Sequence, residues 1–301
     1  MVELLAELDA LIGLAPVKEA VHRLVAIHQL NAVRAAADEP TVPQSLDLVF
    51  AGDPGTGEDV VARIVGQLYA ELGVLAQGHV VEVTRVDLVG ATAEATQVQV
   101  LAAVTAARQG VLFVDEAHLL IPQSADDLGG VAIASLVAAM GTRTTPFAVV
   151  LAGPTQAMEL IIEHHPALHV AFENMIEFPR YTPDELLAIF RQEVGDLQIG
   201  VSPDVLAAVC NHFVEIYDGG RFKTARYVPD LVGEMYARLA TRTMTDGVAE
   251  ADERRAFVVP DVPPAAAAAL KITKPNSPPC GNNPAISTLV LWFDPKTRHT
   301  P

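Results

Sequence analysis

The chain has 301 residues, 50% of them hydrophobic, and its 20 Lys+Arg against 37 Asp+Glu leave a formal net charge of −17. That balance excludes general binding to nucleic acid, which needs surplus Lys and Arg to neutralise phosphates. Two cysteines, Cys210 and Cys280, exclude a disulfide framework or a Cys-based metal centre. The length suits one α/β domain plus a smaller one. Apolar runs break at charges or proline before reaching the roughly 18 residues of a membrane span. The acidic start, Met1-Val2-Glu3-Leu4-Leu5-Ala6-Glu7, lacks the basic region of a signal peptide, so a cytoplasmic location is expected.

In chain order, Leu5, Leu8, Leu11 and Ile12, then Val17, Val21, Leu24, Val25 and Ile27 recur at helical spacing over residues 1–45. The turn at Ile12-Gly13-Leu14 separates two helices, and Pro16 lies near the first turn of the second. A loop through Pro40 and Pro43 leads to a short apolar strand over 46–51. Then comes Gly52-Asp53-Pro54-Gly55-Thr56-Gly57-Glu58-Asp59, followed from Val60 by a run with the spacing of a helix packed on a sheet. Strand, glycine-rich loop and helix in this order form a phosphate-binding loop, in which successive backbone N–H groups converge on phosphate. The usual pattern places Lys and Ser/Thr where this chain has Glu58 and Asp59.

A second strand is expected over 79–83 and a helix to about residue 108. The strand Val111-Leu112-Phe113-Val114 ends in Asp115 and Glu116, placed to hold a metal ion and to activate water. A helix around 131–140, a strand over 147–153 and a helix around 156–163 continue the alternation that argues for a parallel sheet covered on both faces. The expected fold class is therefore α/β: a P-loop NTPase with a three-layer parallel sheet, over residues 1–178. Residues 179–258 carry capped helical segments starting near Thr182, Ser202 and Thr224 and no strand-like run, which predicts a small all-helical lid. Residues 259–301 are rich in Pro and Ala and read as a poorly ordered tail containing Leu289-Val290-Leu291-Trp292-Phe293.

The segments LIGLAPVKEAV, LVFAGDPGTG, RVDLVGATAEAT, GVLFVDEAHLL, VVLAGPTQAM, EFPRYTPDEL and GGRFKTARYV, in this order, resemble the AAA+ proteins of CbxX/CfqX type, which include red-type Rubisco activases and AAA+ chaperones of type VII secretion. The resemblance covers about residues 8–245. It implies a ring-forming ATPase with a large α/β domain and a helical lid, which remodels another protein in a central pore. It also implies that Ile12, Gly13 and Leu14 face the adenine, that Gly52 to Val60 hold the phosphates, that Asp115 and Glu116 form the Walker B pair, and that Arg226 is the lid arginine. Ala171 falls at the arginine-finger position, Thr92-Ala93-Glu94 replaces the aromatic pore motif, and Pro154 stands where the family usually has Tyr.

These departures lead to an expected AAA+ module with impaired or lost ATP hydrolysis, acting as a structural or regulatory subunit of a homo-oligomer or of a mixed ring with an active paralogue. The alternatives are an active chaperone with unusual site chemistry and a nucleotide-independent scaffold. ATP or ADP would be held weakly. Glu58 is expected to pair with Arg226 or Lys18 in place of the phosphate; the alternative is that Asp59 and Asp115 hold a divalent cation, Mg²⁺ or Ca²⁺, whose preferred ligands are oxygens. His164, His165 and His169 include an i, i+4 pair with Pro166 between, which reads more readily as solvated or packing histidines than as a zinc site. His118 reads as a packing residue. Arg221, Lys223, Arg226, Arg238, Arg242, Arg254 and Arg255 give the lid region a basic bias, the usual mark of a solvated helix face and otherwise of a docking surface for a neighbouring subunit.

Overall fold

The computed structural model describes residues 1–124, 126–164, 166–218, 224–244 and 255–265. Its frame is a five-stranded parallel sheet of β1 (Leu48–Gly52), β2 (Val80–Val83), β3 (Val111–Val114), β4 (Ala148–Gly153) and β5 (Asn174–Phe178), in the order β2-β3-β4-β1-β5. β1 lies between β4 and β5, with Ala51 opposite Gly153 on one side and Glu177 on the other.

Residue alternation explains why both faces are covered. Successive strand residues point to opposite faces, so Leu48, Phe50, Phe113 and Val150 enter one core while Val49, Ala51, Val114 and Leu151 enter the other. The first core is closed by α1 (Val2–Ala10), α2 (Ala15–Ala36) and α3 (Glu58–Glu71), through Leu8, Val17, Val21, Val61 and Leu68. The second is closed by α4 (Arg85–Leu88), α5 (Ala93–Ala106), α6 (Gly129–Gly141), α7 (Thr155–His164) and α8 (Pro166–Ala171). Three layers result, as the strand–helix alternation predicts.

Two local devices fix the sheet's geometry. Asp47, 2% exposed just before β1, accepts hydrogen bonds from Arg143 Nη2 at 2.5 Å and from the Val149 backbone nitrogen at 2.8 Å, and so holds the starts of β1 and β4 together. Gly66 in α3 lets the chain at Gly78 pass closely: a Cβ on Gly66 would lie 2.4 Å from the Gly78 carbonyl oxygen.

The lid contains α9 (Pro183–Asp196), α10 (Pro203–Asp218) and α11 (Tyr227–Met244), packed through Phe190, Val194, Val209, Phe213, Leu231 and Met235. Thr182 and Glu185 form a reciprocal capping box at the start of α9. The lid is helical, as expected, with one addition that the sequence pattern does not show: β6 (Gly200–Val201) pairs in parallel with β7 (Ala256–Phe257). Strands of two residues carry no readable alternation.

The first residues of the stretch expected as a tail, 259–265, are packed against the lid. Asp261 is 2% exposed, pairs with Arg242 at 3.2 Å and accepts the Val258 N–H at 3.0 Å, and Ala265 is buried in the core that the lid shares with the first sheet face. Residues 259–265 are thus part of the lid, because one buried carboxylate fastens this stretch to α11. The Pro-rich stretch beyond them, with Leu289–Phe293, lies outside the described residues.

Candidate functional site

The glycine-rich loop leaves the C-terminal end of β1 and turns directly into α3, with Gly55 at φ +85° and Gly57 at φ +101°. Both values lie in the left-handed region that favours glycine. This aims the first N–H groups of α3 into the turn, where an anion is stabilised. A Cβ on Gly52 would lie 2.5 Å from Phe178 Cβ, which shows how closely the loop base packs on the end of β5.

Three further segments close around the loop. Tyr181 donates its hydroxyl hydrogen to the Thr56 carbonyl at 3.0 Å, and Arg180 Nε donates to Asp53 Oδ2 at 2.6 Å. The Ile12-Gly13-Leu14 turn sits on the same side: a Cβ on Gly13 would lie 2.6 Å from Glu185 Oε1, and one on Gly57 would lie 3.8 Å from Leu14 Cδ1. From the lid, Thr224 and Arg226 reach the loop, with Arg226 Cβ 3.2 Å from where a Cβ on Gly55 would be. Ile12, Gly13, Leu14, residues 52–58 and Arg226 are therefore gathered at one site.

Inside this site Glu58 takes a role that the sequence reading does not foresee. Its side chain is buried, 7% exposed, and Oε2 accepts the Thr56 N–H at 3.1 Å. Burial raises its pKa above the usual carboxylate value; hydrogen bonds from its own backbone N–H and from Thr56 oppose the rise, and the nearby Asp115 charge adds to it. The expected pairing with Arg226 or Lys18 is not made. Lys18 Nζ instead donates to the carbonyls of Asp9 and Leu11, closing the end of α1, and among the described residues Glu58 has no ion pair.

Asp59 is half-exposed and lies 3.9 Å from Arg63 one helical turn on. Asp115 follows β3, and its Oδ1 accepts the Glu116 N–H at 2.8 Å. Glu116 adopts φ +48°, a left-handed conformation uncommon for this residue type, at the head of a short 3-10 turn over Ala117–Leu120. His118 Nδ1 is buried without a partner beside Gly153, and burial lowers its pKa against the opposing pull of Glu116 and Asp115.

The loop backbone fits a phosphate, but the donor set does not fit a magnesium triphosphate. A buried carboxylate already takes one of the converging N–H groups, and Asp59 faces Arg63. Among the described residues no group of three or more His, Cys, Asp or Glu gathers to hold a metal.

The remaining predicted positions lie outside this cluster. Thr92 is the N-cap of α5, its hydroxyl accepting the Ala95 N–H at 3.2 Å, with Ala93 and Glu94 in the first turn. Ala171 ends α8, and its carbonyl accepts from Ser45 Oγ at 3.3 Å. His169 is exposed, and His165 lies outside the described residues. Sequence reasoning misses Arg180 and Tyr181 as loop contacts. The motif EFPRYTPDEL holds both, but no spacing rule tells which of its residues turn back to a loop over a hundred positions earlier.

Comparison with known proteins follows the same division. The model of the ATPase family associated with various cellular activities (AAA) matches residues 48–180, and an AAA lid domain model matches residues 182–271. Plasmid protein CbxX of Cupriavidus necator is 33% identical over 254 residues, which cover 84% of this chain and 80% of that protein. The chloroplastic ribulose bisphosphate carboxylase/oxygenase activase of Cyanidioschyzon merolae is 30% identical over 272 residues, 87% of this chain and 89% of that protein. Among solved structures, the FIGL-1 AAA domain superposes with a TM-score of 0.60 at 17% identity, covering 94% of this chain and 87% of that one, a likeness of fold.

Proposed function

We propose, from the premise that this chain belongs to the AAA ATPase family and within it to the CbxX/CfqX type, that it is a protein-remodelling module with impaired or lost ATP hydrolysis. It would act as a structural or regulatory subunit. The family is one of nucleotide-binding proteins that assemble as rings, and this chain would join either its own copies or an active paralogue.

The observation that carries the reading is the buried Glu58 carboxylate on the Thr56 N–H. Two unit charges about 4 Å apart interact by roughly 4 kcal/mol at an effective dielectric near 20. Replacing an attracting Lys with Glu at this position therefore weakens triphosphate binding by a term of that order or more. Asp59, an acidic residue where the pattern calls for Ser or Thr, and Ala171, where the resemblance puts the arginine finger, support the same reading. Loss of an arginine finger alone lowers the rate by about 10³–10⁵ in this chemistry.

A second reading, an active ATPase with altered site chemistry, is favoured by one arrangement. Asp115 and Glu116 still follow β3, and Arg226 still lies against the loop. Calorimetric ATP titration and turnover measurement on the wild type and on the double reversal Glu58→Lys, Asp59→Thr separate the readings. Tighter ATP binding by the reversal, by about tenfold to a thousandfold, is expected. Wild-type turnover equal to that of the reversal favours the active reading, and ATP binding by neither protein favours a nucleotide-independent scaffold.

A further inference from the structure

The lid carries a second concavity, away from the phosphate loop. A groove of about 790 Å³ is lined by Leu197, Ile199, Val232 and Tyr236, together with Glu193 and Arg255. Leu197 and Tyr236 are 52% and 55% exposed, large apolar side chains left uncovered on the folded lid. Its volume is in the range of ordinary ligand sites.

The chain itself passes this groove. Ile199 immediately precedes β6, and Arg255 immediately precedes its partner β7, so both lining residues lie beside the same two-stranded ribbon. The described chain then ends at Ala265, buried in the lid core. Beyond it the sequence continues for 36 residues, in which Leu289-Val290-Leu291-Trp292-Phe293 is the one concentrated apolar and aromatic run.

Charge distinguishes this stretch from the rest. Residues 266–301 contain Lys271, Lys274, Lys296 and Arg298 against a single Asp294, whereas residues 1–265 carry a net −20. Lys296 and Arg298 lie three and five positions after Phe293. A basic segment with an apolar centre thus leaves the same lid that displays an apolar groove on a strongly acidic body.

We propose that residues 289–293 dock in the lid groove of their own chain, with Trp292 and its neighbours covering Leu197 and Tyr236. The 24 positions from Ala265 to Leu289 span up to about 80 Å at 3.3–3.6 Å per residue, so reach is no obstacle. A tether of this kind supplies an effective concentration on the order of millimolar. A short apolar run with weak intrinsic affinity is then enough; the groove's own charged lining, Glu193 and Arg255, is balanced, and the net acidity of residues 1–265 draws the basic segment toward the body as a whole.

Trp292 is the only tryptophan of the chain and reports directly on this contact. In the full chain, selectively excited fluorescence should show the short-wavelength emission of a covered indole, with shallow acrylamide quenching. The double variant Leu197→Asp, Tyr236→Asp alters two already exposed positions, and its circular dichroism and melting temperature should match the wild type. Its emission should move to the long-wavelength value and its quenching should steepen, reflecting a loss of docking of about tenfold or more for two anchors removed. Lys296→Glu with Arg298→Glu should shift the emission in the same direction. Water-exposed emission in the wild type, or identical emission in wild type and groove variant, would overturn the proposal. Emission that reverts on dilution would also overturn it, by assigning the groove to the tail of a second copy.

Discussion

Glu58 Oε2 lies 3.1 Å from the backbone nitrogen of Thr56, two residues earlier in the same loop. The side chain that begins α3 thus satisfies the turn that starts it, and a carboxylate belonging to the protein accepts one of the N–H groups of the glycine-rich loop.

This relationship gives stability a pH dependence of known sign. Burial raises the Glu58 pKa in the folded state. Its contribution is therefore fully present below the unfolded pKa and is lost as pH rises through the folded value. Glu58→Gln keeps an acceptor for the Thr56 N–H and removes the charge. It should raise the melting temperature at neutral pH and lose that advantage in acid, as read from thermal scans across pH. A variant no more stable than wild type at neutral pH would contradict this.

Tyr181→Phe should destabilise the protein by about 1 kcal/mol, because the Thr56 carbonyl loses its hydroxyl donor in a buried position. Urea unfolding measures it. Burial, then Glu185 and Glu58, push the Tyr181 pKa up to about 12. Spectrophotometric titration should accordingly show that a tyrosine ionising near 12 disappears in the variant.

Arg143→Ala should be far more severe, about 3 kcal/mol, since it strands the Asp47 carboxylate between β1 and β4 without its cation. Pairing Arg143→Met with Asp47→Asn should recover part of that loss in chemical denaturation. Equal damage from the single and double variants would argue against an electrostatic origin.

Gly66→Ala places a methyl 2.4 Å from the Gly78 carbonyl oxygen. Alanine ordinarily favours a helix interior over glycine, but here either α3 or the Gly78 turn must move, at about 1–3 kcal/mol. A gain in melting temperature would mean that the two backbones separate easily.

Much of the sheet is legible in the sequence, since β1, β3 and β4 are short apolar runs bounded by turn residues and alternate with helices. The loop and the Asp115-Glu116 pair are legible because strand, glycine turn and helix follow each other directly. What escapes is decided by distant partners. The β6–β7 pair is too short to show a period, and residues 259–265 join the lid through one ion pair between Arg242 and Asp261. The orientation of Glu58 depends on its burial and on the Thr56 N–H it accepts, and Lys18, a formally available cation, is already committed to two carbonyls at the end of α1. Sequence lists the charges; packing decides which of them meet.

Phe178, Arg180 and Tyr181 touch Gly52, Asp53 and Thr56 in the same order along both segments. The strip of chain that leads into the lid is thereby basted onto the glycine-rich turn at three points. Rotation of the lid must pull this seam open or drag the turn with it, so lid and turn share one mechanical coordinate. A neighbouring molecule that grips only the lid then has a lever on the shape of the cradle without ever entering it.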